Sequence, residues 1–305
     1  MILSNLCDIM KLNYYEIPRR KMTRKLYIST GTLVGRENGY DYLGALEEIG
    51  RLCDAGYADG LELMMLRFYY DKIETVSDAV RGCGVHAGTI HCEKDVGTLI
   101  SDAAVLDMEG KADEAEAVYT KAEELFRLNC AAAERIGIDR MVLHLWGGFS
   151  SDKNIGYNIS KFSGLSRIAQ ENGVRILVEN IPSNTADPLT NWRRLFPELA
   201  NGGLIFDTRF GKLHEQTDDI LTDQEISAKI EHIHISDFGG VYRDFSALRP
   251  ILHPGEGKID FIHVAHLLDH IGYSGTITLE SPVMEGSERN IPKLKETLSF
   301  IRNNF

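Results

Sequence analysis

The chain is expected to fold as an α/β protein of the (β/α)8 TIM-barrel class, and three features of the sequence lead there. Short apolar, β-branched runs alternate with longer segments of 3.6-residue period, eight times over. Four of these runs end in a carboxylate or a histidine, which is where such a barrel carries its chemistry. No interior linker or low-complexity run divides the 305 residues, a length that α/β barrels commonly reach as one unit.

LYIST, residues 26–30, is the first strand, with β-branched and aromatic residues ahead of a Gly-containing turn. The helix over 40–55 follows from the stripe Tyr42, Leu43, Leu46, Ile49 and Leu52. GLELMM (60–65) is the second strand, and the helix after it reaches Arg81. GVHAGTIHC (84–92) is the third strand, ending near His91. The segment 111–136, rich in Ala and Glu, is the strongest helix and stops at Gly137. MVLHLWGG (141–148) is the fourth strand, with His144 on one face with Val142 and Trp146. A helix over 157–171 ends at Asn172-Gly173. RILVENIP is the fifth strand; a helix over 188–199 leads to GLIFDT, the sixth, and one over 223–229 to the seventh, IEHIHISD. After a long connection, 238–258, come a helix over 259–271, the turn Gly272 to Gly275, the eighth strand GTITLE and a last helix over 291–303. Residues 1–25 precede this pattern as an N-terminal extension to a single barrel domain, 26–305, and are expected to pack on the barrel or on a partner chain, which leaves homo-oligomerisation open.

Composition narrows the function classes. The net charge is −12 with no Lys/Arg cluster to offset it, which disfavours nucleic acid as a partner. No run approaches a membrane span, and the N-terminus lacks the features of a signal peptide. Five cysteines, odd in number and without CxxC or framework spacing, suit a reducing cytoplasm.

The seventh strand carries most information. Period-two alternation puts His232 and His234 on one face and Ile233 and Ile235 on the other. Glu179, Asp207 and Glu280 end three other strands in the same way, so three carboxylates and one imidazole are expected to converge as a site for one divalent cation. Oxygen ligands with one imidazole suit Mn, Mg, Co or Zn. Three carboxylates around a dication leave a formal −1, which favours a neutral polyol-like substrate or an anionic one whose charge is met elsewhere. His91 and His144 end neighbouring strands and are assigned to substrate contact or a second metal, with Trp146 a lid over the substrate or part of the core. His232 lies a layer deeper, in the core or behind His234; Glu62 is left open between a structural and a site role. His263, His266 and His270 form a solvated helix face. Arg209, Arg243 and Arg249 are candidates for holding a phosphate or carboxylate tail.

The strand-end ligands, the ENIP run and above all HPGEGKIDFIHVAHLLDHIGYSGTITLESP (253–282) resemble the sugar phosphate isomerase/epimerase family, the xylose isomerase-like barrels, from about Leu26 to the C-terminus. By position, the resemblance implies Glu179, Asp207, His234 and Glu280 as ligands of one catalytic divalent metal. It implies a metal-stabilised enediolate route between aldose and ketose or between epimers of a small sugar-like molecule, with Glu179 and Glu280 as the acid/base pair. Endonuclease-IV-like enzymes of the same superfamily carry a histidine three residues after the sixth-strand Asp and an Asp-x-His pair before GEG. Here Phe210 stands at the first position, and Arg249 and Ile251 at the others, which disfavours a three-metal hydrolase. A sugar or keto-acid dehydratase is the remaining alternative.

Overall fold

The computed structural model describes residues 24–305. Eight strands, β1 (Lys25–Ser29), β2 (Gly60–Met64), β3 (Ala87–His91), β4 (Arg140–Leu143), β5 (Arg175–Glu179), β6 (Gly203–Asp207), β7 (Ile230–Ile235) and β8 (Thr276–Leu279), pair in parallel in chain order. Leu26 of β1 lies opposite Ile277 of β8, so the sheet closes on itself. Helices α1 (Tyr42–Asp54), α2 (Ile73–Gly82), α3 (Asp95–Met108), α4 (Ala112–Ile136), α5 (Ile155–Glu171), α6 (Pro188–Leu195), α7 (Thr208–Leu213), α8 (Thr217–Thr222), α9 (Gln224–Ser227), α10 (Phe261–His270) and α11 (Ile291–Asn304) occupy the connections. A two-residue hairpin, β9 (Met284–Glu285) with β10 (Glu288–Arg289), follows β8. The expected N-terminal arm lies outside the described residues as far as residue 23, and Lys25 already belongs to β1. No helix among the described residues is long and apolar enough to cross a membrane.

The two faces of each strand serve different layers. Ile233 and Ile235 join the main apolar cluster between barrel and helices, whereas His232 and His234 turn to the barrel axis. Inside the barrel, Val142, Leu177 and Ile205 form a separate apolar plug. Below it, the buried ring of Tyr27 fills the floor. That ring fits because Gly60 and Gly88 have no side chain: a Cβ on either would stand 2.9 and 2.1 Å from its carbons.

Local signals set the helix ends. Asp187 caps α6 by accepting from the Thr190 N–H at 2.7 Å, with Pro188 at the first helical position. Gly137 ends α4 at φ +91°, a left-handed conformation that glycine adopts without strain.

Several expectations need correction. The first-helix stripe is Ala45, Leu46, Ile49 and Leu52, and Leu43 is exposed. The fourth strand ends at Leu143, so alternation does not extend to Trp146, which lies fully buried in the main apolar cluster. Helix α3, between the third strand and α4, was not anticipated; its buried face includes Gly97 and Ser101 while the apolar Met108 is exposed, which blurs the stripe in the sequence. The short α7 and α8 were also unanticipated, six residues each being too few to show a period.

Candidate metal centre at the barrel mouth

Glu179 and Asp207 are the last residues of β5 and β6, and Glu280 directly follows β8, so these carboxylates emerge together at the C-terminal mouth. One donor atom from each of Glu179, Asp207, His234 and Glu280 lies within 4.8 Å of the other three. Glu179 Oε1 is 2.7 Å from His234 Nδ1, and Glu280 Oε2 is 3.5 Å from the same nitrogen. The backbone prepares this convergence. Asn180 Oδ1 accepts from the Asp207 N–H at 2.6 Å and its Nδ2 donates to the Asp207 carbonyl at 3.1 Å, tying the ends of β5 and β6. The Glu280 N–H donates to the Ile235 carbonyl at 3.2 Å and registers the end of β8 against β7.

Asp207 divides its oxygens between two tasks. Oδ1 caps α7 by accepting from the Phe210 N–H at 2.7 Å, while Oδ2 is buried without a partner. Glu280 Oε1 is likewise buried and unpartnered. Buried carboxylate oxygens without donors are costly unless a cation meets them. Two such atoms beside Glu179 and an imidazole fit a hard divalent ion.

His234 is oriented from behind. Its Nε2 lies 3.2 Å from Glu62 Oε2, which also accepts from Thr89 Oγ1 at 2.8 Å. A proton on Nε2, donated to Glu62, leaves Nδ1 facing Glu179 and Glu280. This carboxylate–imidazole arrangement fixes the tautomer of metal-binding histidines. Burial opposes protonation, but the charges of Glu280, Glu62 and Glu179 push His234 well above its ordinary value. Glu62, left open from sequence, thus contacts a site residue across the barrel interior. His232 lies deeper, its Nε2 2.8 Å from Thr278 Oγ1. Burial lowers it to about 3, keeping it neutral.

His91 and His144 stand around Glu179. His144 Nε2 is 2.6 Å from Glu179 Oε2, and His91 Nε2 is 3.7 Å from the same oxygen. Burial outweighs that carboxylate for His144 and lowers it, whereas at His91 burial is overcome by Glu179, which raises it to about 9. Despite burial, the three histidines hold Glu179 well below the carboxylate range. Glu280 moves the other way, raised by burial and by Glu179 against the pull of His234. Asp207 rises to about 7, mainly by burial, with Glu179 and Glu280 adding to it.

The arginines divide. Arg243 Nη2 donates to the carbonyls of Ser183 and Ala186 at 2.8 and 2.9 Å, so it braces the loop after β5. Arg209 is buried beside Asp207, and Arg249 is exposed at the rim. Trp146 has no exposed surface and an unpartnered Nε1. His263 is 3.0 Å from Asp218 on the exposed side of α10, away from the cluster.

Two further buried aspartates hold the mouth loops and were missed from sequence. Asp237 accepts from the backbone N–H groups of Phe238, Gly255, Gly257 and Ile259, fastening the PGEG turn to the end of β7. A Cβ on Gly257 would stand 2.4 Å from Asp237 Oδ1, which is why that position is glycine. Asp152 accepts from the N–H groups of Asn184, Thr185 and Ala186. The position of Asp237 directly after HIHIS was the available signal; the loop it clasps is too remote in sequence to announce itself.

A family model described as xylose isomerase-like TIM barrel matches residues 44–304. An uncharacterized protein of Methanocaldococcus jannaschii is 29% identical over 164 residues, 52% of this chain and 53% of that protein. A second from the same organism is 27% identical over 151 residues, 49% of this chain and 57% of that protein. The chain thus spans about half the length of the curated relatives it matches. Among solved structures, 3-keto-D-glucoside 4-epimerase (YcjR) from E. coli aligns with a TM-score of 0.63 at 17% identity, covering 92% of this chain and 100% of that one. D-psicose 3-epimerase from Clostridium cellulolyticum H10, solved with D-tagatose, gives 0.67 at 15%, covering 92% and 99%. The IolI protein with a bound zinc atom gives 0.65 at 17%, covering 92% and 99%. At these identities the likeness is one of fold.

Proposed function

The chain belongs to the xylose isomerase-like TIM barrel family, and from that premise we propose that it is a divalent-metal-dependent isomerase or epimerase of a small sugar or sugar derivative. The observation that carries the reading is the convergence of Glu179, Asp207, His234 and Glu280 at the barrel mouth. Similarity in fold to sugar epimerases, one crystallised with a ketose, and to a zinc-binding barrel supports it.

A cation held by those four residues supplies an electrophile for the negative charge that develops on substrate oxygen when the neighbouring carbon loses a proton. The protein's own part is proton movement. Glu179, on β5, is surrounded by the imidazoles of His91, His144 and His234; Glu280, beyond β8, keeps an uncommitted oxygen. Two carboxylates from different strands of one mouth suit opposite roles, one taking the α-proton and the other returning one. His144, whose side chain is 18% exposed, and His91 line the approach to Glu179 and are assigned to substrate hydroxyls.

Screening ketoses for deuterium uptake with Mn²⁺ present tests this. Glu179→Gln is expected to abolish exchange at the substrate α-carbon, and unchanged exchange would remove Glu179 as the base. A second reading, a hydrolase of the endonuclease-IV type, draws on the additional donor group of His91, Glu179 and His234. More than one tightly bound metal with nicking of abasic duplex would favour it, and loss of water from the product would favour a dehydratase.

A further inference from the structure

Arg209 follows Asp207 by two residues, in the first turn of α7, and is only 7% exposed. Its Nη1 donates to the Leu248 carbonyl at 3.0 Å, while its Nε is buried without a partner. The guanidinium carbon lies 4.6 Å from the Phe210 ring centroid, which covers one face and leaves the donor edges. Leu248 immediately precedes Arg249, so the same hydrogen bond anchors the segment carrying a second guanidinium. Partial burial and the charge of Arg209 hold Arg249 below its ordinary range while Glu280 opposes them, so both charges lie within electrostatic reach of it. Most other arginines are paired, as Arg175 with Glu231 at 2.6 Å and Arg193 with Asp223 at 2.8 Å, and Arg243 is spent on two backbone carbonyls. Arg209 and Arg249 form no ion pair among the described residues.

A guanidinium this buried, with one neutral acceptor and a second cation nearby, is an arrangement that an anion stabilises. We propose that Arg209 and Arg249 form the anion-binding end of the substrate pocket, and that the substrate is an acidic sugar derivative whose carboxylate or phosphate these guanidiniums hold. This rests on the isomerase reading and narrows it. Charge-assisted, multidentate contacts suit either anion, so the two sources must be separated by experiment.

Metal-loaded protein titrated calorimetrically with glycerol, D-glycerate and glycerol 3-phosphate, which share a three-carbon skeleton, provides the test. One of the two anions is expected to bind at least about tenfold more tightly than glycerol, and which one identifies the group. Arg249→Met, at an exposed position, should erase that advantage without altering the far-UV circular dichroism. Arg209→Met should erase it too, and Arg209→Lys should retain part of it. Anions bound no better than glycerol, or an advantage that survives Arg249→Met, would overturn the proposal. A chain that catalyses α-proton exchange on neutral ketoses yet ignores both anions keeps the isomerase reading and loses this one. Anion binding that depends on Arg249, without any exchange, does the reverse.

Discussion

Replacing Glu62 by Gln isolates the tautomer argument, because it keeps the shape of the side chain and removes its charge. Glu62 is fully buried, 3.2 Å from His234 Nε2 and 3.5 Å from His232 Nε2, and held by Thr89 Oγ1 at 2.8 Å. A carboxylate can only accept, so it draws the ring proton to Nε2. An amide can present either its oxygen or its NH2. In the second orientation the proton moves to Nδ1, the atom that faces Glu179 and Glu280. Loss of such a partner behind a metal-binding imidazole typically weakens metal affinity about 10–100-fold, or about 1.4–2.8 kcal/mol. Chelator-stripped wild type and Glu62→Gln, titrated with Mn²⁺ by calorimetry, should differ by that amount. Thr89→Val, which removes an uncharged donor to the same oxygen and leaves the carboxylate in place, should give a smaller loss. An unchanged Mn²⁺ dissociation constant in Glu62→Gln would refute the proposed role of Glu62.

Four other outcomes are expected. Gly88→Ala forces a Cβ to within 2.1 Å of the Tyr27 ring and should destabilise the barrel by about 1–3 kcal/mol, read as a fall in Tm that adding Tyr27→Leu partly restores. Asp237→Asn, whose amide keeps one oxygen and so leaves two of the four backbone N–H groups without an acceptor, should cost about 1–3 kcal/mol and speed amide exchange in the Gly255–Ile259 turn. Burial and Arg243 lower His214 to about 4, and its Nε2 accepts from the Ser183 N–H at 3.2 Å. With the folded pKa below the unfolded one, its contribution is complete above about pH 6.5 and is lost as pH falls toward 4; His214→Gln should flatten the decline of Tm in that window. Stripping the metal with a chelator should lower Tm, and Mn²⁺ at about 100 times its dissociation constant should restore about 2.7 kcal/mol.

Which parts were legible follows from the range of the signals. Strand alternation is local, so HIHIS was enough to predict two imidazoles facing inward, and carboxylates ending RILVE, GLIFD and TITL-E marked the other mouth residues. The partner of His234 was not legible, because Glu62 lies 172 residues away and touches it only across a closed barrel. Arg243 read like any rim arginine until the Ser183 and Ala186 carbonyls showed it engaged. Trp146 took the core place of its two expected ones, but not the face of Val142 and His144, because alternation stops at Leu143, where the chain leaves the sheet. The PGEG motif was visible as a pattern, but its physical cause, four amides gathered on Asp237, was not.

Ring closure joins β8 to β1, and Glu280 is the residue that directly follows β8. A nascent polypeptide therefore carries Glu179, Asp207 and His234 before Glu280 emerges, and the four-donor cluster is completed only when β8 pairs with β7. On the proposed metal site, ion capture by all four residues would report a chain whose last strand has docked, and a chain stalled before residue 280 would hold three of the four donors.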